Sequence, residues 1–186
     1  MPIQTVIQRK LFKWDEVNRL GQEITTFKKT REQARRDFED MLIDAYLDGF
    51  AEVLYLLGED IFADPAKASS VTQKTYDGKS VIDKFVEYYD AKDAENIVRL
   101  VDSEFHRANE QGGYDAAVAS DRNIKKRWTA ILDDKTRFTH DMLDGTKVGL
   151  NDYFYSLSGD RALFPGGFET AEENANCRCT TEYFAE

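Results

Sequence analysis

Cys177 and Cys179, one residue apart near the end of the chain, and His140 upstream of them are the side chains whose types could hold a metal. Two thiolates and an imidazole suit zinc, and a fourth group such as Asp144 or another carboxylate would complete a tetrahedral site. A structural zinc site usually shows two ligand pairs and this chain shows one, so the plainer alternative stands beside it. In that reading the cysteines are small buried groups flanking a strand and His140 makes an ordinary hydrogen bond. A disulfide between residues this close would close a small, strained ring, so a reducing compartment at the time of folding is the simpler setting. A nucleophilic cysteine would need a base to lower its pKa, a role open to His140.

Asp134, Arg137 and His140 recur at intervals of three, which on a helix places them on one face. Such a face suits a general acid-base pair, a small nuclease centre or a buried polar latch. The latch is favoured, because Arg137 offers a rigid fork to a carboxylate and no second histidine accompanies His140. Leu143-Asp144-Gly145 reads as the end of that helix, with Gly145 in the left-handed position. Trp128 reads as core. Pro165-Gly166-Gly167 reads as a turn that orders only against a partner, and Asp102, Glu104, His106 and Asn109 as a solvated helix face.

The elements that position these groups follow from periodicity. Phe38, Met41, Leu42, Ala45, Tyr46, Phe50, Val53, Leu54 and Leu57 step by three or four, predicting a helix that Gly58 terminates. Val17, Leu20, Ile24 and Phe27 extend the pattern backward as one long helix or a helical hairpin. Residues 60 to 79 read as a loop ending in a turn at Tyr76-Asp77-Gly78-Lys79, and Ser80 with Asp83 reads as a helix start. Ala94 to Ala108 predicts a further helix stopped by Gly112-Gly113, then a short alanine-rich one. Lys126 to Leu132 predicts a strand with Trp128, Ala130 and Leu132 on one side, followed by a helix over Thr136 to Leu143 opened by Asp133 or Asp134. The expectation is an α+β fold, with a mainly helical region over 1–120 and a small mixed α/β unit over 121–186.

With 186 residues, 41% hydrophobic and 32% charged, the chain is long enough for a real core and reads as a soluble globular protein without a membrane span. Its opening residues lack the layout of a signal peptide. The net charge of -10 is unevenly spread. Residues 1 to 36 hold nine cations against four acids, a local +5, which leaves -15 on the rest. Arg31, Arg35 and Arg36 sit in this basic arm, read either as a solvated helix face or as a contact for an acidic partner or packaged DNA.

Read in order, Trp128, Asp134, Thr136-Arg137, His140, Leu143-Asp144-Gly145, Phe154, Gly159, Pro165 and Asn176-Cys177-Arg178-Cys179 resemble the C-terminal signature of the Mu F-like phage head morphogenesis family. The series is strong over 128 to 179 and looser over 94 to 127. The resemblance implies a minor structural protein of the phage head, found in the virion after assembly in the host cytoplasm. It would sit near the portal, with the portal protein or major capsid protein as neighbour and a role in DNA packaging or ejection. It also implies no enzymatic activity, and one paired structural site formed by Arg137, His140 and the Cys-x-Cys. The alternative is a small metal-dependent nuclease or toxin-like effector using His140 and Asp144, and a third reading is an acidic cytoplasmic adaptor.

Overall fold

The computed structural model describes residues 14–185, so the arm cations Arg9, Lys10 and Lys13 lie outside the described residues. Helix α2 (Arg31–Leu57) begins at a reciprocal cap. The Thr30 hydroxyl accepts from the Gln33 amide at 3.2 Å, and the Gln33 side-chain oxygen accepts from the Thr30 amide at 2.9 Å. Its predicted apolar stripe is buried from Phe38 to Leu57, and it ends at Gly58, φ +68°. Helix α1 (Trp14–Ile24) does not continue into it. Phe27 takes a positive φ of 52°, and α1 lies mainly against α5 (Ala94–Ala119) instead of forming a hairpin with α2.

Part of the predicted loop is helical, because Asp64 caps α3 (Pro65–Ser70) by accepting from the Ala66 amide at 2.8 Å while Pro65 fixes the first turn. A single 3-10 turn, Val71–Gln73, follows. The predicted turn is a hairpin between β1 (Thr75–Tyr76) and β2 (Lys79–Ser80). Asp77 and Gly78 both have positive φ, as a tight hairpin's twist requires. Ser80 then caps α4 (Val81–Asp90), its hydroxyl accepting from the Asp83 amide at 3.0 Å.

Two glycines that read as a helix stop lie inside α5, which runs through Gly112-Gly113 and absorbs the expected alanine-rich helix. The physical reason is the crossing with α2. A methyl group placed on Gly112 would stand 1.9 Å from the Tyr46 carbonyl oxygen, and one on Gly49 would stand 2.0 Å from that of Asn109. Close approach of two backbones explains both residues, at a helix-propensity cost of about 1 kcal/mol each.

The expected solvated face of α5 is the clearest departure. Glu104, His106, Arg107, Asn109 and Glu110 are all buried, because the helix is packed by α1, α2 and α4 and reached by a C-terminal strand, β7 (Thr180–Ala185). Each charge has partners. Arg107 Nε donates to Glu104 at 2.6 Å, its Nη2 donates to the Val71 carbonyl at 2.7 Å, and Tyr76 donates to the other Glu104 oxygen at 3.0 Å. Asn109 donates to the Ala45 carbonyl at 3.1 Å, and Glu110 accepts from the Thr181 amide at 3.1 Å. Buried charges are tolerated only with such pairing.

Asp102 is different: burial without a compensating partner pushes its carboxyl up to about 6, and its Oδ1 has no hydrogen-bond partner. A raised folded pKa in an acid means the native state binds the proton more tightly, so stability falls as pH rises from about 4 to about 6. Fully counted, the shift would cost about 3 kcal/mol at neutral pH, and solvent screening of a half-buried group reduces this to about 1 kcal/mol. Asp102→Asn is expected to raise the thermal midpoint at pH 7.5 and to leave it unchanged at pH 4, as read by scanning calorimetry.

The C-terminal part carries an antiparallel sheet ordered β4 (Lys147–Gly149), β3 (Ile124–Thr129), β7, with β3 pairing β7 from Ile124 opposite Ala185 to Thr129 opposite Thr180. The strand begins and ends earlier than its predicted span. Leu132 is exposed with φ +58° and does not share the side of Trp128. A hairpin of β5 (Phe154–Tyr155) and β6 (Arg161–Ala162) and two single-turn helices, α6 (Phe138–Asp141) and α7 (Ala171–Asn174), complete an α+β architecture. Ile124 and Tyr183 join the helical core, while Trp128 anchors a second cluster with Ala130, Leu143, Phe154, Phe168 and both cysteines. Pro165 and Gly166 are buried, and Gly166 packs where an added methyl would meet Arg107 at 3.1 Å, so this turn orders against α5 of its own chain.

Candidate metal centre

Trp128 forms one wall of the centre: its ring meets that of His140 edge-on, with centroids 5.4 Å apart, and Phe168 stacks on the imidazole at 5.5 Å. Helix α6 raises His140 onto these walls, and the segment entering β7 brings in the two cysteines. Nδ1 of His140 lies 3.6 Å from Cys177 Sγ and 3.5 Å from Cys179 Sγ, and all three residues are buried with their ligand atoms within 4.8 Å of one another. Metal legs of about 2.3 Å to sulfur and about 2.05 Å to nitrogen, meeting at a tetrahedral angle, would separate N and S by about 3.55 Å. The three donors and their spacing therefore fit three of the four positions of a tetrahedral zinc site.

The far nitrogen of the ring, Nε2, is 3.2 Å from Glu173 Oε2, a close approach that forms no hydrogen bond. Glu173 is in turn held by Thr139 at 3.0 Å and Ser158 at 2.6 Å. Burial raises its carboxyl, but the hydrogen bonds from Ser158, Thr139 and Ser156 and the nearby His140 outweigh this and hold it below its usual value. In metal sites a carboxylate that accepts the other N–H of a ligating imidazole fixes its orientation, and Glu173 lies close to that position without the hydrogen bond. Within the pair, Cys179 is held down to about 5 by the hydrogen bond from Cys177, with further help from His140, against the burial that would raise it. Cys177 is pushed up by the same shared bond and by burial.

Arg137 lies beside the cluster and is not part of the donor set. Its Nη1 donates to the Glu173 carbonyl at 2.7 Å and its Nη2 to the Ala175 carbonyl, so the fork grips backbone, not the carboxylate expected. It ties α6 to the end of α7, two residues before Cys177. Asp134 does not share a helical face with Arg137 and His140, since the helix shrinks to Phe138–Asp141 and Asp134 is exposed before it. Asp133 has the polar role instead. It accepts from the Lys135 amide at 3.0 Å, from the Thr136 hydroxyl at 3.2 Å, and through both oxygens from the Arg178 guanidinium, which holds its carboxyl well below the usual range.

Asp144 is not among the clustered donors. Its Oδ1 accepts from the Ala130 amide at 2.8 Å, so neither a fourth zinc ligand nor a nuclease pair with His140 is assembled. Gly145 has φ +74° and donates to the Trp128 carbonyl at 2.9 Å, closing the chain after α6 as predicted. Far from this centre, on α2, Arg31 lies 3.4 Å from Asp90 and Arg35 3.0 Å from Glu39, while Arg36 is exposed and has no ion-pair partner among the described residues.

Sequence reasoning misses Glu173 altogether, and it reads Asp133 only as one of two helix openers and Arg178 only as part of Asn176-Cys177-Arg178-Cys179. Glu173 sits four residues before Cys177 and Arg178 lies between the cysteines, a local signal that charge accompanies the pair. The space beside the cluster is only about 10 Å³, and the nearest larger groove, about 760 Å³, lies across Glu173 and is open to solvent.

Residues 68–182 match the family described as Phage Mu protein F like protein. The chain is 40% identical over 90 residues to NAD(+)--arginine ADP-ribosyltransferase EFV of Enterococcus faecalis (strain ATCC 700802 / V583), covering 48% of this chain and 18% of that protein. It is 35% identical over 83 residues to Minor head protein GP7 of Bacillus phage SPP1, covering 44% of this chain and 27% of that one. The matched stretches thus span less than a third of either relative, and no solved structure matches the chain. The matched span 68–182 takes in α5, β3, β4, the start of β7 and the whole donor cluster, and on that extent the chain belongs to the Phage Mu protein F like family.

Proposed function

We propose that this chain is a minor structural component of a phage head, acting in head morphogenesis beside the portal, and that His140, Cys177 and Cys179 hold zinc as an internal clamp. The observation that supports it most is where the family match falls: it encloses a buried donor cluster with about 10 Å³ of adjoining space, far below the ~300 Å³ or more of a usual small-molecule site. Zinc there would cross-link α6 to the entry of β7. Arg137 and Glu173 would orient the clamp from outside the donor set. The burial of these donors and the small space beside them support a structural role for the cluster, and the likeness to a minor head protein supports reading the chain as a structural protein and not an enzyme. The likeness to the ADP-ribosyltransferase covers 18% of that protein.

Partners on this reading are the portal protein or the major capsid protein. Among Arg31, Arg35 and Arg36, the last is best placed to meet packaged DNA, since the other two are engaged on the protein's own surface. Assembly takes place in the host cytoplasm and the finished chain resides in the virion head.

The test uses the unmodified chain and Cys177→Ser/Cys179→Ser, each prepared without chelator. About one equivalent of zinc is expected in the first and none in the second, with a thermal midpoint lower by about 6 °C, equivalent to about 2 kcal/mol. The loss is moderate because the pairing of β3 with β7 persists. Purified heads should contain the unmodified chain at a low ratio to the major capsid protein. Less than about half an equivalent of zinc would overturn the clamp, and heads lacking the chain would overturn the head assignment.

A further inference from the structure

Helices α1, α2 and α5 leave between them a groove of about 620 Å³. Its floor is apolar, made by Val17 and Leu20 of α1, Met41 and Leu47 of α2 and Phe105 of α5. Its wall is acidic, because Asp37, Asp40, Asp44 and Asp48 recur along α2 at steps of three and four and so share one face. Lys29 pairs with Asp37 at 2.6 Å. Asp40 and Asp44 are exposed and have no ion-pair partner among the described residues.

An apolar floor beside an acidic wall is complementary to a segment with apolar residues at three- and four-residue intervals and cations between them. Residues 1–13 have that composition: Ile3, Val6, Ile7 and Leu11 with Arg9, Lys10 and Lys13, and no acid. This segment joins the described chain at Trp14, the first residue of the helix that forms one side of the groove. Such a tether gives it a local concentration in about the millimolar range, which a separate partner of the same chemistry would have to exceed.

We propose that residues 1–13 dock in this groove of their own chain, with Arg9 and Lys10 along Asp40 and Asp44 and the apolar residues on Met41 and Leu47. The positive charge at the start of the chain is then spent on the protein's acidic body and is withheld from packaged DNA. The proposal is independent of the zinc clamp and of the place of the chain in the head.

Hydrogen exchange read by mass spectrometry on the full chain tests it. Amides of residues 3–13 are expected to exchange at least about tenfold more slowly than in the isolated peptide, equal to about 1.4 kcal/mol of docking. The variant Asp40→Lys/Asp44→Lys should return them to peptide rates while α5 keeps its protection, and adding Arg9→Glu/Lys10→Glu should restore the slowing. Peptide-like exchange in the unmodified chain would overturn the proposal, as would protection that survives the aspartate reversal. Protection that grows with protein concentration would also overturn it, assigning the groove to a second copy.

Discussion

Arg107→Ala is expected to lower stability by about 3 to 5 kcal/mol, the range found when one member of a buried ion pair is removed. The cause is the group left behind. Glu104 is buried as completely as its partner and would keep only the Tyr76 hydroxyl at 3.0 Å, while the Val71 carbonyl would lose the guanidinium that reaches it at 2.7 Å. Replacing both charges, with Glu104→Gln and Arg107→Met together, should recover most of the loss, since the penalty lies in the unpaired charge and not in missing attraction. Urea unfolding at pH 7 followed by circular dichroism separates the two. A single variant within about 1 kcal/mol of the unmodified protein would show that water reaches Glu104.

Gly112→Ala should cost about 3 kcal/mol or more, at the upper end for overpacking, because the new methyl would meet the Tyr46 carbonyl oxygen at 1.9 Å and the Phe50 amide nitrogen at 2.9 Å. Neither atom is a side chain that can rotate aside, so the α2–α5 crossing itself must open. Gly21→Ala is the matched control. There the methyl would lie 3.6 Å from Val98, an ordinary contact, so the gain in helix propensity of up to about 1 kcal/mol should dominate and the change should be neutral or stabilising. Thermal unfolding of both variants checks the contrast. Equal midpoints for the two would mean that the crossing has slack.

The contrast between these glycines shows where the sequence was legible. The stripe from Phe38 to Leu57 and the caps at Gly58 and Ser80 were readable because they are encoded within a few residues. Gly112-Gly113 was misread as a stop, since nothing local shows that another helix passes within methyl distance. The buried charges of α5 were missed for the same reason: polar residues opposite an apolar stripe look solvated until a second layer, here β7 delivering Thr181 to Glu110, covers them. At the centre, the three donors were legible by residue type, and their partner Glu173 was not, because its role depends on Thr139 and Ser158 holding it across the fold. The spacing of Asp134 to Arg137 and His140 is helical only in a longer helix than Phe138–Asp141.

The pairing of β3 with β7 joins residues 124–129 to residues 180–185, more than fifty positions later. That separation imposes an order of events during synthesis. The helices can collapse around α2 and α5 while the chain is still being made, yet the middle strand of the sheet waits for its second partner, β7, which emerges only after both cysteines have left the ribosome. Until then one edge of β3 is unpaired, and the Glu110 carboxylate lacks the Thr181 amide that later donates to it. Nascent chains arrested before residue 180 should therefore be compact in their first half, resistant to protease there, and prone to stick through the exposed strand. Pairing of residues 180–185 with β3 would act as the closing step, converting a sticky intermediate into a protein whose middle strand is paired on both edges.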